Sequence, residues 1–167
     1  NHPAYIDPPL VLSHVRLGRP LRPIVFAGFF RRPPLYPFMR LIGAFEVPDL
    51  GRHSHGAREQ TLAMIEALVS GLQRGESILI YPSGHVKWQP EEVLGSARAA
   101  AEIIERCPEA PGILVRTSGL WGSSFSYAPT GKPPDLTRCA LRGFAWLLAS
   151  LLWFAPRRKV TMTIEVL

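Results

Sequence analysis

Residues 57–81 read AREQTLAMIEALVSGLQRGESILIY and contain the clearest secondary-structure signal in the chain. Ala57 to Arg74 is predicted to be a helix because its apolar residues recur close to a helical period; these are Leu62, Ile65, Val69 and Leu72. Gly75 is typical of the residue that ends a helix. Ser77 to Tyr81 then forms a short apolar run closed by Pro82, as expected of a buried strand.

The same alternation of helices and strands extends in both directions. Further strands are expected at Pro23 to Gly28, Ala44 to Val47, Gly112 to Thr117 and Lys159 to Leu167. Further helices are expected from Asp7 to about Gly18, from Pro34 to Ile42, from a cap at Ser96 through Cys107, and from Thr137 to Ala155. Strands separated by helices predict one α/β domain over residues 1–167, with a mostly parallel central sheet flanked by helices.

The composition excludes a disordered tail, because 47% of the 167 residues are hydrophobic and only 19% are charged. Two cysteines, Cys107 and Cys139, are too few for a disulfide framework, and free thiols in a reducing compartment are expected. The chain begins at Asn1 and not at Met. We therefore expect it to be part of a longer protein, cut immediately before its first motif.

The net charge of +6 is compatible with nucleic acid, an anionic membrane surface or acidic small molecules. Basic runs lie beside apolar, aromatic segments: Arg31-Arg32 follows Phe26 to Phe30, and Arg157-Arg158-Lys159 follows Phe144 to Phe154. This arrangement favours a membrane interface, whereas the basic-aromatic interleaving of a nucleic-acid binder is missing. We expect a peripheral protein on the cytoplasmic face of a membrane, with no nucleic-acid partner.

The apolar segment Phe144 to Ala155 is too short to span a bilayer. Its dozen residues would extend about 18 Å as a helix, whereas a spanning helix needs about 20 residues. Packing in the core is the first expectation for this helix. The alternative is partial immersion in a membrane interface, with the following basic residues at the headgroups.

The main catalytic candidate is Asn1-His2-Pro3-Ala4-Tyr5-Ile6-Asp7, a His-x4-Asp pair. A histidine that acts as a general base must be held in one tautomer and orientation. A carboxylate that accepts from its other ring nitrogen does this and stabilises the imidazolium that forms. A tight turn at Pro3, followed by a helix that starts near Asp7, can bring the two side chains together. The spacing alone remains a hypothesis.

With its context, this motif resembles the first motif of the glycerolphosphate and lysophosphatidic acid acyltransferase family, and the order of elements agrees over essentially the whole chain. Gly43-Ala44-Phe45-Glu46-Val47 is similar to the second motif of that family. Ile80-Tyr81-Pro82-Ser83-Gly84-His85 occupies the place of the third, and Ile113-Leu114-Val115-Arg116-Thr117 that of the fourth. The Tyr-Pro-Ser-Gly third motif, with the Gly119 to Phe125 segment, resembles a divergent branch that is fused to fatty-acyl-activating domains.

The chain departs from the family pattern at the positions that hold a phosphate. The second motif usually ends in an Arg, but the aligned position is near Asp49, and Arg52 is the nearest basic residue. Ser83 stands where the third motif has Glu, and Leu114 where the fourth has Pro. Because a phosphate needs fixed positive charge or oriented N–H groups, these departures weaken the expectation of a glycerol-phosphate acceptor.

The resemblance implies an O-acyltransferase with a glycerolphosphate acyltransferase-like fold. His2 would deprotonate a hydroxyl of a lysophospholipid, glycerolipid-like or alcohol acceptor, and Asp7 would orient His2. The acyl donor would be acyl-CoA or acyl-carrier protein, with no further cofactor and no metal. Substrate-binding residues are expected from the other motifs: Phe45, Pro82, Ser83, Gly84, His85 and Arg116. A fused acyl-activating domain is an expected partner.

Other interpretations stay open. The first is a catalytically weak acyltransferase-like module that binds lipid for a fused activating domain. A distant hydrolase is another, although the chain has no Gly-x-Ser-x-Gly elbow and its loop residues Ser123, Ser124 and Ser126 are expected to be solvated. His53-Ser54-His55 resembles half of a metal site but has no companion cluster nearby.

Overall fold

A computed structural model describes residues 2–47, 56–93, 98–150 and 158–167. The chain divides into two compact units. The first unit comprises Asn1–Leu10, His85–Leu94 and Ile113–Leu167, and the second comprises Val11–Gly84 and Gly95–Gly112. The structure is mixed α/β, which confirms the fold class predicted from the alternating pattern.

The second unit contains a three-stranded parallel sheet. Its strands are β1 (Leu21–Phe26), β2 (Phe45–Val47) and β3 (Ser77–Leu79), in the order β2-β1-β3. Strand β1 pairs with β2 through Ile24 opposite Phe45, and with β3 through Arg22 opposite Ile78. Parallel neighbours need crossover connections, and the intervening helices provide them. The sequence-predicted strands at these three places are therefore confirmed, with shifted ends.

Six helices lie along the described chain, in places close to those expected from the sequence. They are α1 (Asp7–His14), α2 (Ala27–Phe30), α3 (Tyr36–Leu41), α4 (Ala57–Gln73), α5 (Ala99–Arg106) and α6 (Leu136–Ala149). Helix α1 ends at His14, four residues before the expected end at Gly18. The short helix α2 is not predicted from the sequence, which assigns its first two residues, Ala27 and Gly28, to the preceding strand. The predicted cap Ser96 lies outside the described residues.

The core of the second unit lies between α4 and α5. Ile65, Leu68 and Val69 of α4 pack with Ile103 and Cys107, and partly buried side chains from the sheet surround them. Leu62, expected on the buried face of α4, is 45% exposed, whereas Leu68 is almost fully buried. The spacing Ile65, Leu68, Val69 and Leu72 follows i, i+3, i+4, i+7, so Leu62 lies at the margin of the buried stripe.

The first unit contains a two-stranded antiparallel ribbon. Strand β4 (Ile113–Ser118) pairs with β5 (Thr161–Val166), from Ile113 opposite Val166 to Ser118 opposite Thr161. The expectation of a mostly parallel sheet therefore holds for β1 to β3 and is wrong for this pair. The alternating apolar residues of β5 do not bury a common face either, since Ile164 and Val166 are exposed.

Helix α6 begins where it was expected, and Asp135 caps it by accepting a hydrogen bond from the N–H of Arg138 at 3.0 Å. The expectation of core packing for the segment that starts at Phe144 is wrong for Phe144, Trp146 and Leu148, which are all exposed. The last part of the predicted helix, residues 151–157, lies outside the described residues. Within the described ranges, no helix is both long and apolar enough to cross a membrane.

Candidate active site

The His-x4-Asp motif forms a tight turn that leads into α1. Pro3 and Ala4 are buried, and the N–H of Asp7 donates to the carbonyl oxygen of Ala4 at 3.0 Å. Pro8 and Pro9 follow in the first turn of α1, where proline is tolerated because the first N–H groups of a helix have no intrahelical acceptor. Asp7 is the first residue of the helix and only 1% exposed. The turn predicted from Pro3 and the helix start predicted at Asp7 are both confirmed.

The ring of His2 is half-buried, and its Nδ1 atom lies 3.2 Å from the carbonyl oxygen of Ala4. A carbonyl oxygen only accepts hydrogen bonds, so this contact favours the tautomer with the proton on Nδ1. In that tautomer Nε2 carries the lone pair that a general base needs. The carbonyl oxygen of Ala4 therefore contacts both ends of the motif, the ring of His2 and the backbone of Asp7.

Burial lowers the pKa of His2 from 6.5 to about 4. The contact with the Ala4 carbonyl opposes this shift, and the positive charge of His85 adds the smallest contribution to it. Desolvation disfavours the charged imidazolium, which explains the direction. At neutral pH His2 is therefore unprotonated and able to accept a proton.

The segment that follows the predicted third motif lies against His2. His2 forms a parallel bridge with Val86, and the N–H of Lys87 donates to the carbonyl oxygen of His2 at 3.0 Å. His85 contacts Trp88 edge-on, with ring centroids 6.1 Å apart. From the sequence, His85 is assigned to the candidate site. In the structure, His85 lies close enough to His2 to lower the pKa of His2 slightly.

The other residues of the third motif belong to the second unit, where they form a turn. The N–H of Gly84 donates to the carbonyl oxygen of Tyr81 at 2.9 Å, and Gly84 has a φ of +66°. Ser83 is buried, whereas Pro82 is exposed. Two residues of this turn have no N–H group to offer a substrate, because proline has none and that of Gly84 is already bonded to Tyr81.

Phe45 and Arg116 lie in other surroundings. Phe45 packs at the margin of the core of the second unit, and the guanidinium of Arg22 lies 3.8 Å above its ring. Arg116 is on β4 in the first unit, and its Nη1 donates to Oε1 of Glu165 at 2.9 Å. Both side chains of this ion pair are exposed. Asp49, Arg52 and the His53-Ser54-His55 run lie outside the described residues.

Sequence reasoning missed the contribution of residues 119–127, which we call the glycine-serine loop. The carbonyl oxygen of Phe125 accepts from the N–H of Tyr5 at 2.9 Å, so this loop is bonded directly to the His-x4-Asp turn. Tyr127 stacks on Tyr5, with centroids 6.4 Å apart. The signal in the sequence was the Gly119 to Phe125 segment, which indicated a branch of the family but no site.

Internal hydrogen bonds hold the glycine-serine loop. Ser126 is 1% exposed, and its Oγ accepts from the N–H of Gly122 and donates to the carbonyl oxygen of Ser123. The expectation of a solvated serine is therefore wrong at this position. A buried hydroxyl stabilises the loop conformation that satisfies its hydrogen bonds, because any conformation that leaves it buried and unbonded has a higher free energy.

The side chain of Arg158 binds the backbone of the glycine-serine loop through three hydrogen bonds. Its Nη1 donates to the carbonyl oxygens of Gly119 and Trp121 at 2.8 and 2.9 Å, and its Nη2 donates to that of Gly122 at 3.0 Å. In the alternative of partial immersion, Arg158 would face lipid headgroups together with its basic neighbours. The structure instead directs its guanidinium to the backbone that supports the candidate site.

We expect Arg158→Lys to lower the free energy of unfolding by about 1 kcal/mol, since an ammonium group cannot reproduce the three donations of the planar guanidinium. Arg142→Lys is the matched control, because Arg142 is an exposed arginine on α6, and its change should stay within about 0.5 kcal/mol. Urea denaturation measures both. Equal midpoints for the two variants would show that the three bonds do not stabilise the loop.

The lowered pKa of His2 predicts a loss of stability in acid. The unfolded chain, with a histidine pKa near 6.5, binds more protons than the folded chain at any pH between about 4 and 6.5. The contribution of His2 to the free energy of unfolding therefore falls as the pH is lowered through this window, by roughly 2–3 kcal/mol in total. Urea denaturation of the wild type and of His2→Gln from pH 4 to pH 7.5 isolates this contribution. Parallel pH dependences would refute it.

No group of three or more His, Cys, Asp or Glu side chains that could hold a metal ion occurs among the described residues. No protein-family model, no curated protein and no solved structure matches this chain. The candidate site is therefore defined by its own geometry: a buried turn, an unprotonated histidine and two segments hydrogen-bonded to that turn.

Proposed function

We propose that the chain is an O-acyltransferase in which His2 is the general base. Nε2 of His2 takes the proton from an acceptor hydroxyl, and the oxygen attacks the carbonyl carbon of an acyl thioester. The C–O ester bond forms, the C–S bond breaks, and the departing thiolate receives the proton from the imidazolium. The products are an acyl ester and free CoA or carrier-protein thiol.

The observation that carries the proposal is the state of His2. Its ring is half-buried and unprotonated at neutral pH, and Nδ1 faces a carbonyl oxygen. A general base must be unprotonated before it can act, and a fixed tautomer directs its lone pair to one place. Asp7, almost fully buried in the same turn, is the proposed orienting residue, because its N–H donates to the same Ala4 carbonyl oxygen that Nδ1 of His2 contacts. The resemblance of the His-x4-Asp motif and its following elements to the glycerolphosphate acyltransferase family supports the reaction class and the finer fold assignment.

The proposed acceptor is a hydroxyl of a lysolipid, a glycerolipid or an alcohol, and not a phosphate-anchored substrate. Arg116, the basic residue of the fourth motif, is engaged with Glu165 on an exposed ribbon. A phosphate that bound Arg116 would have to compete with this carboxylate for the guanidinium. The proposed donor is acyl-CoA or acyl-carrier protein, and the proposed location is the cytoplasmic surface of a membrane.

An acceptor screen with labelled long-chain acyl-CoA tests the proposal on the full-length protein. We expect labelled ester and free CoA thiol in equal amounts with at least one lysolipid or alcohol acceptor. Thiol release without ester would indicate a thioesterase and would overturn the acyl-transfer proposal. Glycerol 3-phosphate is an informative acceptor, because preference for it would contradict the inference drawn from Arg116.

A second candidate function is a catalytically weak module that binds an acyl chain for a fused activating domain. Two observations favour it: Ser83 replaces the family's Glu, and the N–H of Gly84 is bonded to Tyr81 and cannot serve an oxyanion. This candidate predicts binding of long-chain acyl-CoA with no turnover on any acceptor. Detectable ester formation that is lost in His2→Ala would reject it.

A further inference from the structure

One face of helix α6 is apolar and open to solvent. Leu141, Phe144 and Leu148 follow the spacing i, i+3, i+7 and are 65%, 60% and 61% exposed. This spacing places the three side chains in one stripe along the helix. The partly buried residues Leu136, Cys139 and Leu147 form an adjoining side of the helix, and the thiol of Cys139 lies 3.2 Å from the carbonyl oxygen of Ser124. The apolar stripe lies beside this packed side and is itself left exposed.

Positive charge borders the same stripe. Arg138 and Arg142 are both exposed and lie one turn apart, on one side of Leu141. Residues 136–149 contain no aspartate or glutamate, so no negative charge on the helix offsets the two guanidinium groups. We call the surface formed by Arg138, Leu141, Arg142, Phe144 and Leu148 the α6 outer face. Trp146, which is 62% exposed, lies on another side of the helix, since it is two residues away from both Phe144 and Leu148.

We propose that the α6 outer face docks on an anionic lipid bilayer, with the helix parallel to the membrane plane. Leu141, Phe144 and Leu148 would enter the boundary between headgroups and acyl chains. Arg138 and Arg142 would extend to the anionic headgroups, since long basic side chains keep the charged end in the polar layer.

The positive charge of the α6 outer face favours an anionic bilayer over a second copy of the chain as its partner. Two copies joined through this face would bring four guanidinium groups together without an acidic residue from either helix, which is unfavourable. An anionic bilayer supplies an apolar interior beneath a negative surface and so matches both parts of the face. The proposal is independent of the proposed reaction, because vesicle binding is measured without acyl donor or acceptor.

Cosedimentation of the full chain with phosphatidylcholine vesicles that contain phosphatidylglycerol tests the proposal. We expect binding that weakens with salt. Arg138→Gln with Arg142→Gln should lower the affinity roughly 5-fold for each arginine. The matched control is Arg16→Gln with Arg40→Gln, two exposed arginines in the second unit, and it should retain wild-type affinity. Equal losses in the two double variants would overturn the docking site and leave only a nonspecific charge effect.

A second set of variants tests the apolar stripe. Leu141→Ser, Phe144→Ser and Leu148→Ser combined should reduce vesicle binding at least 10-fold. The matched control changes three exposed apolar residues elsewhere to serine, namely Leu41, Leu62 and Ile104, and should bind as the wild type does. Unchanged circular dichroism spectra establish that both triple variants are folded.

A tryptophan in the apolar stripe, introduced by Phe144→Trp, reports contact with lipid directly. Brominated phospholipid should quench a larger part of the tryptophan fluorescence of Phe144→Trp than of the wild type. Equal quenching in the two proteins would place the α6 outer face away from the bilayer and overturn the proposal. It would also be overturned by a dimer in sedimentation velocity that depends on Leu141, Phe144 and Leu148 and excludes vesicles.

Discussion

His2→Ala is expected to lower the rate of acyl transfer by 10²- to 10⁴-fold, the usual effect of removing a general base. Alanine has no group that can accept the proton of the acceptor hydroxyl, so this oxygen would attack as a neutral and much weaker nucleophile. The loss should appear in kcat, because the proton is removed only as the reaction proceeds. Steady-state kinetics with a long-chain acyl-CoA measure it.

His14→Ala is the matched control for this variant. His14 is an exposed histidine at the end of α1, and its removal should leave kcat within about 2-fold of the wild-type value, as expected for a surface substitution. Full acyl transfer by His2→Ala would eliminate the proposed mechanism. Loss of activity in both variants would point to damage to the fold and would remove the support for His2 as the base.

The pH profile separates a base from a merely structural histidine. With a pKa of about 4 in the free enzyme, the acidic limb of kcat/KM should lie near pH 4 and not near the usual 6.5 of histidine. His85→Ala removes a positive charge that lowers the pKa of His2, so the limb should move toward neutral pH. A limb that stays in place after this substitution would show that His85 does not contribute to the pKa of His2.

Gly119→Ala is expected to destabilise the first unit by about 3 kcal/mol or more. Gly119 has a φ of +89°, a backbone conformation that L-residues rarely adopt. In addition, a Cβ at this position would collide with the backbone carbonyl oxygen of Lys159. A backbone carbonyl cannot rotate aside as a side chain can, so relief would require β5 or the glycine-serine loop to shift.

Gly131→Ala is the matched control, because it measures the cost of a side chain at positive φ without a steric clash. Gly131 has a φ of +65°, and a Cβ added there would meet no atom within 4 Å, so only the conformational penalty of about 1–2 kcal/mol applies. Thermal and urea denaturation of both variants measure the difference. If Gly119→Ala cost no more than Gly131→Ala, the close approach to Lys159 would have no energetic consequence.

The elements of the second unit could be predicted from the sequence because each has a local cause. The apolar period of α4, the turn at Gly75 and the strand before Pro82 are properties of neighbouring residues. The turn at His2 to Asp7 is local in the same sense, because proline and the start of α1 define it within six residues.

The pairing of β4 with β5 could not be predicted from neighbouring residues in the sequence. Their alternating residues are compatible with either a parallel or an antiparallel neighbour, and the partner strand is distant in the chain. The exposure of α6 is a similar case. Its apolar residues predict burial in a core, whereas the number of neighbours that are present to cover them depends on the whole fold.

The sequence alone determined which residue types could perform chemistry and where the chain turns to present them, because a His-x4-Asp turn is a short-range feature. The tertiary structure decided the protonation state of His2, since burial and the approach of His85 change its pKa. It also decided the role of the glycine-serine loop and of Arg158, which lie far from the His-x4-Asp turn in the sequence. Hydrogen bonds such as that from Tyr5 to Phe125 join segments about 120 residues apart, and no local pattern records them.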